Sequence, residues 1–329
     1  MPNVWTHLIF GQKVLDRLQE SSLIDSGPLK RLFNMGCQGP DFLFYHRFLP
    51  WQGHSPMTQL GTEFHNKHCG PVLMQMLDSV LGRSTDAGQP DSSVIYSLSF
   101  VLHHVLDRHM HPLVFSKSGF RKWDHQRYEV MMDTLIARKL WAVETWKTPV
   151  WRHIDTGGRL PDTIVQTFQS ITSSFYPELA PAVRAEDWNS AIRDMIRAQR
   201  LFHDPVAVKR SLTFGQIDPF VFRKTVPYDV LNENRQPWID PTDKSVIRSE
   251  SAWTLWDLAM EDALLVIPAV LNYLRSSGSN QRELRQIAAE RIGNLSYETG
   301  LPCDSGAMIR YAEPIWPGGI KELSHESAN

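Results

Sequence analysis

Apolar side chains recur every three or four positions along much of the chain, which is the pattern of helices with one buried face. Near the start, Trp5, Leu8 and Val14 would share one side of a helix that Asn3 can cap. No stretch alternates strictly enough to indicate a sheet, so we expect an all-α fold. The predicted helices cover residues 3–20, 57–81, 93–108, 124–145, 162–175, 186–201, 250–276 and 281–293.

Glycine, proline and polar residues separate these helices. Gly70-Pro71 is expected to kink or break the helix over 57–81, and His109-Met-His-Pro112 to end the helix that begins near residue 93. The segments predicted to be irregular are residues 34–56, 82–92, 214–242 and 302–329.

Composition limits the classes of protein to which the chain can belong. Its 329 residues are 42% hydrophobic and include 11 tryptophans, enough for a well-packed core. The formal charge of −2 supplies no basic field for nucleic acid, so no stable nucleic-acid partner is expected. A nucleic-acid substrate stays open, because metal ions can supply positive charge locally.

Cysteine usage and the start of the chain bear on its compartment. Cys37, Cys69 and Cys303 form no CxxC pair, which argues against a disulfide framework or a cysteine-type zinc site. The first residues lack the features of a signal peptide, and no apolar run reaches transmembrane length. We therefore expect a cytoplasmic protein with at most peripheral membrane contact.

Histidines and acids spaced four residues apart are the most informative feature of the sequence. His103 and Asp107 form one such pair, and His125 and Glu129 form another, with His111 between them. Residues four apart lie on one helix face, close enough to hold one ion. A single pair of this kind is usually a surface or capping pair, but two pairs within one short region indicate metal-binding helices, with zinc as the metal suited to these ligands.

Further candidates precede this region. His7 is on the inward side of the first predicted helix, where a lone histidine is more often an ordinary core residue than a ligand. Asp41 follows Gly39-Pro40 and is either a helix cap or a functional carboxylate. His65 and His68 lie on overlapping helix faces, so periodicity does not choose between them.

In this order, the residues resemble the motifs of the zinc-dependent phospholipase C family, an all-α group that also contains single-strand-specific zinc nucleases. The string from His103 to Pro112 is similar to the H-x-x-x-D-x-x-x-H-P form of that family. The resemblance covers roughly residues 1–140 and implies a multi-helix bundle with a dinuclear or trinuclear zinc site. The residues that carry it are His7, Asp41, His65, His103, Asp107, His111, His125 and Glu129.

The resemblance implies three sets of zinc ligands, with His65 preferred to His68 as the helical histidine. The first set is Asp41, His65, His103 and Asp107, the second is His111, His125 and Glu129, and the third is His7 with the other oxygen of Asp107. The chain departs from the family at its start, because secreted members complete the third zinc with an N-terminal tryptophan and Trp5 is internal here.

The activity implied is that of a phosphodiester hydrolase, most simply a phospholipase C-like enzyme that releases diacylglycerol and a phosphorylated headgroup. Asp41 would orient or deprotonate the attacking water. Phe42, Phe44 and Tyr45 would contact the apolar part of the substrate, although ordinary core packing explains them equally well. Asp133 is expected to accept a hydrogen bond from a ligand histidine.

Three alternatives remain. A nuclease or nucleotidase would use the same metals and could stack a base on the same aromatic residues. A catalytically silent metal-stabilised binding module would keep the fold alone. An HD-type phosphohydrolase is disfavoured, because the His203-Asp204 dipeptide lies far from the other histidines in the sequence.

The expected organisation has three parts. Residues 1–200 would form the metal-binding catalytic domain, residues 201–300 would add helices packed on the same domain, and residues 301–329 would be an irregular tail.

Overall fold

The computed structural model describes residues 3–86 and 88–317, and it confirms the all-α class for these residues. Two-residue strands β1 (Trp238–Ile239) and β2 (Ile247–Arg248) pair antiparallel. Short 3₁₀ helices span Ser21–Ile24, Gly39–Tyr45, Ala180–Ala182 and Asp218–Phe220. The α-helices are α1 (Val4–Arg17), α2 (Gly27–Gly36), α3 (Pro56–Asn66), α4 (Cys69–Ser79), α5 (Ser92–Ser118), α6 (Asp124–Trp141), α7 (Trp151–Ile154), α8 (Asp162–Phe175), α9 (Ala185–Phe202), α10 (Val208–Leu212), α11 (Ala252–Leu274) and α12 (Gln281–Ile292).

Helix α5 lies at the centre of the molecule. Its 27 residues are buried on nearly every side, because its apolar residues are spread around the whole helix and many of its serines and histidines are buried with them. Helices α1, α2, α4, α6, α8 and α11 all pack against it. Side chains from α11 and α12 belong to the same hydrophobic cluster as those of the first 200 residues.

The prediction that His109–Pro112 ends this helix is wrong, since α5 continues to Ser118 with Pro112 inside it. A proline inside a helix removes one N–H and leaves the carbonyl four residues earlier, here that of Arg108, without its usual donor. Gly300 packs so closely against the Arg108 carbonyl that a Cβ there would lie 2.3 Å from the oxygen. Burial of the whole helix outweighs the local cost, and Gly119, the residue after α5, ends the helix with a φ of +81°.

The predicted helix over residues 57–81 is two helices, α3 and α4, and the break precedes Gly70-Pro71. The chain turns at His68, whose φ is +56°. Pro71 falls in the first turn of α4, where a backbone N–H has no partner within the helix. The break leaves His65 inside the protein and His68 exposed.

The predicted irregular segment from 34 to 56 contains more helix than expected. Its first residues complete α2, and Gly39–Tyr45 form a 3₁₀ helix that Gly39 enters with a φ of +51°. The predicted loop from 214 to 242 likewise includes the 3₁₀ turn Asp218–Phe220 and strand β1.

The residues after α12 run back across α5. The backbone N–H groups of Glu313 and Ile315 donate to the carbonyls of Ser116 and Lys117. The predicted irregular tail is described as far as residue 317, without regular helix, and residues 318–329 lie outside the described part. Within the described residues, every helix is too short or too polar to cross a bilayer.

Candidate metal centre

Four side chains from three helical segments meet in the core. Asp41 comes from the 3₁₀ helix, His65 from α3, and His103 and Asp107 from successive turns of α5. Nε2 of His65 lies 3.2 Å from Oδ1 of Asp41, and Nε2 of His103 lies 2.9 Å from Oδ2 of Asp107. One possible donor atom from each residue lies within 4.8 Å of the others, and all four residues are buried. This group can hold a metal ion.

A second group lies between α5 and α6, which pack against each other. It consists of His111, His125 and Glu129, whose possible donor atoms are also within 4.8 Å of one another. Nε2 of His125 is 2.7 Å from Oε1 of Glu129, as expected for residues one turn apart. These three side chains can hold a second ion.

Asp107 joins the two groups. Its Oδ2 faces His103 and also lies 3.8 Å from Nδ1 of His111, one turn further along α5. Its Oδ1 lies 3.2 Å from Nε2 of His7, whose ring stacks on that of His103 with centroids 4.1 Å apart. Because a carboxylate has two oxygens, Asp107 can contact two ions at once. The structure therefore brings all eight predicted ligands into one cluster, in which seven residues are buried and His125 is partly exposed.

Backbone carbonyls orient three of the imidazole rings. Nδ1 of His65 donates to the carbonyl of Gly61 at 2.6 Å, and Nδ1 of His103 donates to that of Cys37 at 2.9 Å. Nδ1 of His111 donates to the carbonyl of Tyr297 at 2.7 Å. With the proton on Nδ1, each ring presents its Nε2 lone pair, which is the arrangement typical of metal-ligating histidines.

Several atoms of the cluster lack the partners that burial demands. Nε2 of His7, His103 and His111, and both oxygens of Asp107, have no hydrogen bond of acceptable geometry within residues 3–86 and 88–317. Buried polar atoms are rarely left without one, since the cost is about 1–3 kcal/mol for each group. The unpaired nitrogens and carboxylate oxygens face one another, so a cation fits the site better than protein atoms do.

The pKa values of the cluster agree with this. Burial lowers the pKa of His7, and burial also holds those of His111 and His125 well below the usual range, so these rings are neutral. Burial opposes ionisation of Asp107, but the neighbouring His103 outweighs burial and holds the Asp107 pKa well below its usual range.

His103 behaves differently. Burial would lower its pKa, but the carboxylates of Asp107 and Asp41 outweigh burial and raise the pKa above the ordinary value of 6.5. A metal ion that binds His103 would therefore compete with a proton for this imidazole.

Asp133 has a different setting from the one expected. Its carboxylate accepts hydrogen bonds from the backbone N–H groups of Trp5 and Thr6, at 2.8 and 2.9 Å, and from the Thr6 hydroxyl. An anion is stabilising at a helix N-terminus, and here it anchors the first turn of α1, next to His7. Burial raises the pKa of Asp133 to about 7.

Tyr297 is a part of the site that sequence reasoning missed. Besides its carbonyl bond to His111, its N–H donates to the carbonyl of His65 at 2.9 Å. Its ring lies against His65 and His103, with centroids 5.1 and 5.7 Å apart. Tyr297 is 186 residues from His111 in the chain and carries no local motif, so only the tertiary structure reveals it.

A cavity of about 1130 Å³ opens onto the cluster. Asp41, His65, His111, His125 and Glu129 form part of its wall. Most of the remaining wall is apolar and comes from the segment after Asp41, from the connection between α5 and α6, and from α9 with the segment that follows it. The large apolar residues of this wall include Phe44, Tyr45, Phe48, Trp51, Phe115, Phe120, Trp123, Phe202, Ile217 and Phe220.

The three aromatic residues predicted to contact substrate lie on different sides of their 3₁₀ helix. Phe44 and Tyr45 line the cavity. Phe42 is buried in the core, where its ring packs near those of Phe168 and Trp188. Phe115 and Trp123 also line the cavity, and their positions one turn after His111 and two residues before His125 are a sequence signal that points to them.

Comparison of the chain with protein-family models, with curated proteins and with solved structures finds no match. What the site can do therefore follows from its own residues.

Proposed function

We propose that the chain is a zinc-dependent phosphodiester hydrolase whose substrate is a phospholipid, in the manner of the phospholipase C family that its motifs resemble. The observation that carries this proposal is the buried His/Asp/Glu cluster forming part of the wall of a large apolar cavity. A metal cluster and an apolar cavity are what hydrolysis of a lipid phosphodiester requires in one place.

The donor set suits two or three zinc ions. Imidazole nitrogen and carboxylate oxygen are ordinary zinc ligands, and the three-residue group of His111, His125 and Glu129 would leave the fourth position of a tetrahedral zinc open for water or substrate. A third ion would take His7 and the second oxygen of Asp107, and the first two residues of the chain lie outside the described part. Zinc held there would act as a Lewis acid toward a phosphoryl oxygen and lower the pKa of water to about 7.

Asp41 is the group that we assign to proton handling. It is both part of the cluster and part of the cavity wall, so its carboxylate meets the substrate side of the site. Its Oδ1 lies 3.2 Å from Nε2 of His65 and 3.6 Å from Nε2 of His103. We assign Asp41 to orient the attacking water and accept its proton.

The walls of the cavity favour a lipid over a nucleic acid. Phe44 and Tyr45 adjoin Asp41 and offer apolar surface for the glycerol and acyl portion. The cations among the lining residues are Arg121 and Lys122, and Arg121 is paired with Asp124 at 2.9 Å. Binding of a polyanionic nucleic-acid strand would require more unpaired positive charge than Arg121 and Lys122 supply.

The test compares two histidines three residues apart. His65→Ala removes a predicted ligand, whereas His68→Ala removes an exposed ring that packs near Phe175, with centroids 5.3 Å apart. We expect the purified protein to contain zinc and to hydrolyse phosphatidylcholine. His65→Ala should lose turnover and the zinc held by the first group, and His68→Ala should keep the zinc content and turnover of the wild type.

The same assays separate the alternatives. Turnover of single-stranded nucleic acid without turnover of phosphatidylcholine or of an aryl phosphodiester would replace the phospholipase with a nuclease. Stoichiometric zinc without turnover of any of the three substrates would leave a metal-stabilised binding module. Equal zinc content in the two histidine variants would refute the assigned ligand set.

A further inference from the structure

The segment between α9 and the 3₁₀ turn Asp218–Phe220 exposes large apolar side chains at its outer surface. Val206, Val208 and Leu212 are exposed, and Phe214 is 94% exposed. Four such residues within nine positions make an unusual concentration for a protein surface, where exposed apolar residues are normally scattered singly. Phe214 also has a φ of +51°, a backbone conformation that bulky residues rarely adopt.

The polar groups of this segment are occupied on its inner side. The Asp204 carboxylate accepts from the backbone N–H groups of Lys209 and Arg210 at 3.2 and 2.8 Å. The Lys209 ammonium donates to three carbonyls at the end of α9. Asp218 is paired with the guanidinium groups of Arg210 and Arg223. These bonds hold the segment in place with its apolar side chains directed outward.

The exposed residues adjoin the mouth of the cavity. Thr213 and Ile217, from the same segment, form part of the cavity wall. Trp51 and Trp123 also belong to that wall, and they are 78% and 48% exposed. Apolar surface therefore continues from the cavity to the outside of the protein.

We propose that Val206, Val208, Leu212 and Phe214, together with Trp51 and Trp123, form a surface that docks on a phospholipid membrane or micelle. We call these six residues the apolar rim. The occupant rests on the proposed function, since a lipid substrate is held in such an aggregate. Docking there lets the lipid enter the cavity without exposing its acyl chains to water.

Charge and residue type support a lipid surface as the occupant. Residues 204–224 contain four cations and two carboxylates, although the whole chain has a formal charge of −2. Asp218 pairs with Arg210 and Arg223, and Asp204 accepts from backbone N–H groups, so the segment keeps a formal charge of +2. The Lys122 ammonium lies 5.0 Å from the centre of the Trp123 ring. Tryptophan and basic side chains are typical of protein surfaces that lie at the boundary between lipid headgroups and acyl chains.

The test is co-sedimentation of the zinc-loaded, full-length protein with vesicles of phosphatidylcholine and phosphatidylglycerol. Leu212→Ser/Phe214→Ser changes two exposed residues that do not line the cavity. The matched control is Leu258→Ser/Leu265→Ser, which changes two exposed leucines of α11. We expect the rim variant to lose affinity for vesicles by about tenfold for each side chain, and the control to bind like the wild type.

A second measurement separates docking from folding and catalysis. Hydrolysis of a soluble aryl phosphodiester should be unchanged in the rim variant, whereas hydrolysis of phosphatidylcholine in vesicles should fall with binding. Vesicle binding without any lipid turnover would keep the docking surface and refute the proposed function. Lipid turnover by a wild-type protein that does not bind vesicles would refute the docking surface alone.

Two further outcomes would overturn the proposal. Equal vesicle binding by the rim variant and the control would show that the rim is not the contact. If the wild type dimerised without binding vesicles and the rim variant stayed monomeric, the surface would instead be a contact between two copies of the chain.

Discussion

Replacing Gly39 with alanine should damage the metal centre without touching a ligand. Gly39 has a φ of +51°, and a Cβ on it would lie 2.1 Å from Cδ2 and 2.7 Å from Nε2 of His103. The ring has little freedom to retreat, because its Nδ1 donates to the Cys37 carbonyl and its face stacks on His7. The added methyl group must therefore displace either the imidazole or the 3₁₀ helix that carries Asp41.

The cost has two parts. Holding alanine at positive φ costs about 1 kcal/mol. Overpacking a rigid core site typically costs about 1–3 kcal/mol more, so Gly39→Ala should lower the free energy of unfolding by about 2–4 kcal/mol. Zinc affinity should fall by about 10–100-fold, the loss seen when the groups that position a ligand are disturbed. Urea unfolding of the metal-free protein and competition for zinc with a chromophoric chelator measure the two effects.

Gly82→Ala is the matched control. Gly82 has a φ of +76°, but no heavy atom within the described residues would lie within 4 Å of its Cβ. This variant should therefore lose about 1 kcal/mol through backbone strain and keep its zinc affinity. If Gly39→Ala and Gly82→Ala were alike in both measurements, the close approach of Gly39 to His103 would not matter for the site.

Three further predictions concern other parts of the molecule. Because Asp107 and Asp41 raise the His103 pKa, a zinc ion must displace the proton of His103 when it binds. Zinc affinity should therefore fall by about tenfold per pH unit as the pH drops below that pKa. A zinc affinity that is the same in mildly acid and in neutral solution would contradict this. Asp133→Ala removes the acceptor of two buried N–H groups of α1 and should destabilise the protein by about 1–3 kcal/mol in urea unfolding. If the variant were as stable as the wild type, water would have to replace the carboxylate as the acceptor. The sulfurs of Cys69 and Cys303 are 3.4 Å apart, and their contact lowers the Cys303 pKa to about 7. The oxidant diamide should therefore join them in a disulfide, with the loss of two titratable thiols in the wild type but not in Cys303→Ser. An unchanged thiol count in the wild type would refute their proximity.

Local patterns in the sequence determined most of the helices and the pairs of candidate ligands. Helix α8 covers Asp162–Phe175, the range that periodicity predicts, because a helix with one buried face shows its period within the segment itself. The pairs His103/Asp107 and His125/Glu129 meet for the same reason, since spacing along one helix fixes which side chains share a face.

Tertiary contacts decided what these patterns left open. The helix containing His103 continues through Pro112, because its burial against neighbouring helices outweighs a local rule that predicts an end. His65 rather than His68 lies in the cluster, because the chain turns at His68 before Gly70-Pro71 is reached.

The sequence by itself therefore determined an all-α chain with histidines and acids arranged in pairs on helix faces. Only the tertiary structure decided that Tyr297 supports the cluster, that Asp133 anchors α1, and that Phe42 packs in the core while Phe44 and Tyr45 face a cavity. The physical reason is distance along the chain. Periodicity describes which side of a helix a residue occupies, whereas the partner on that side, such as Tyr297 for His111, lies 186 residues away and leaves no local trace.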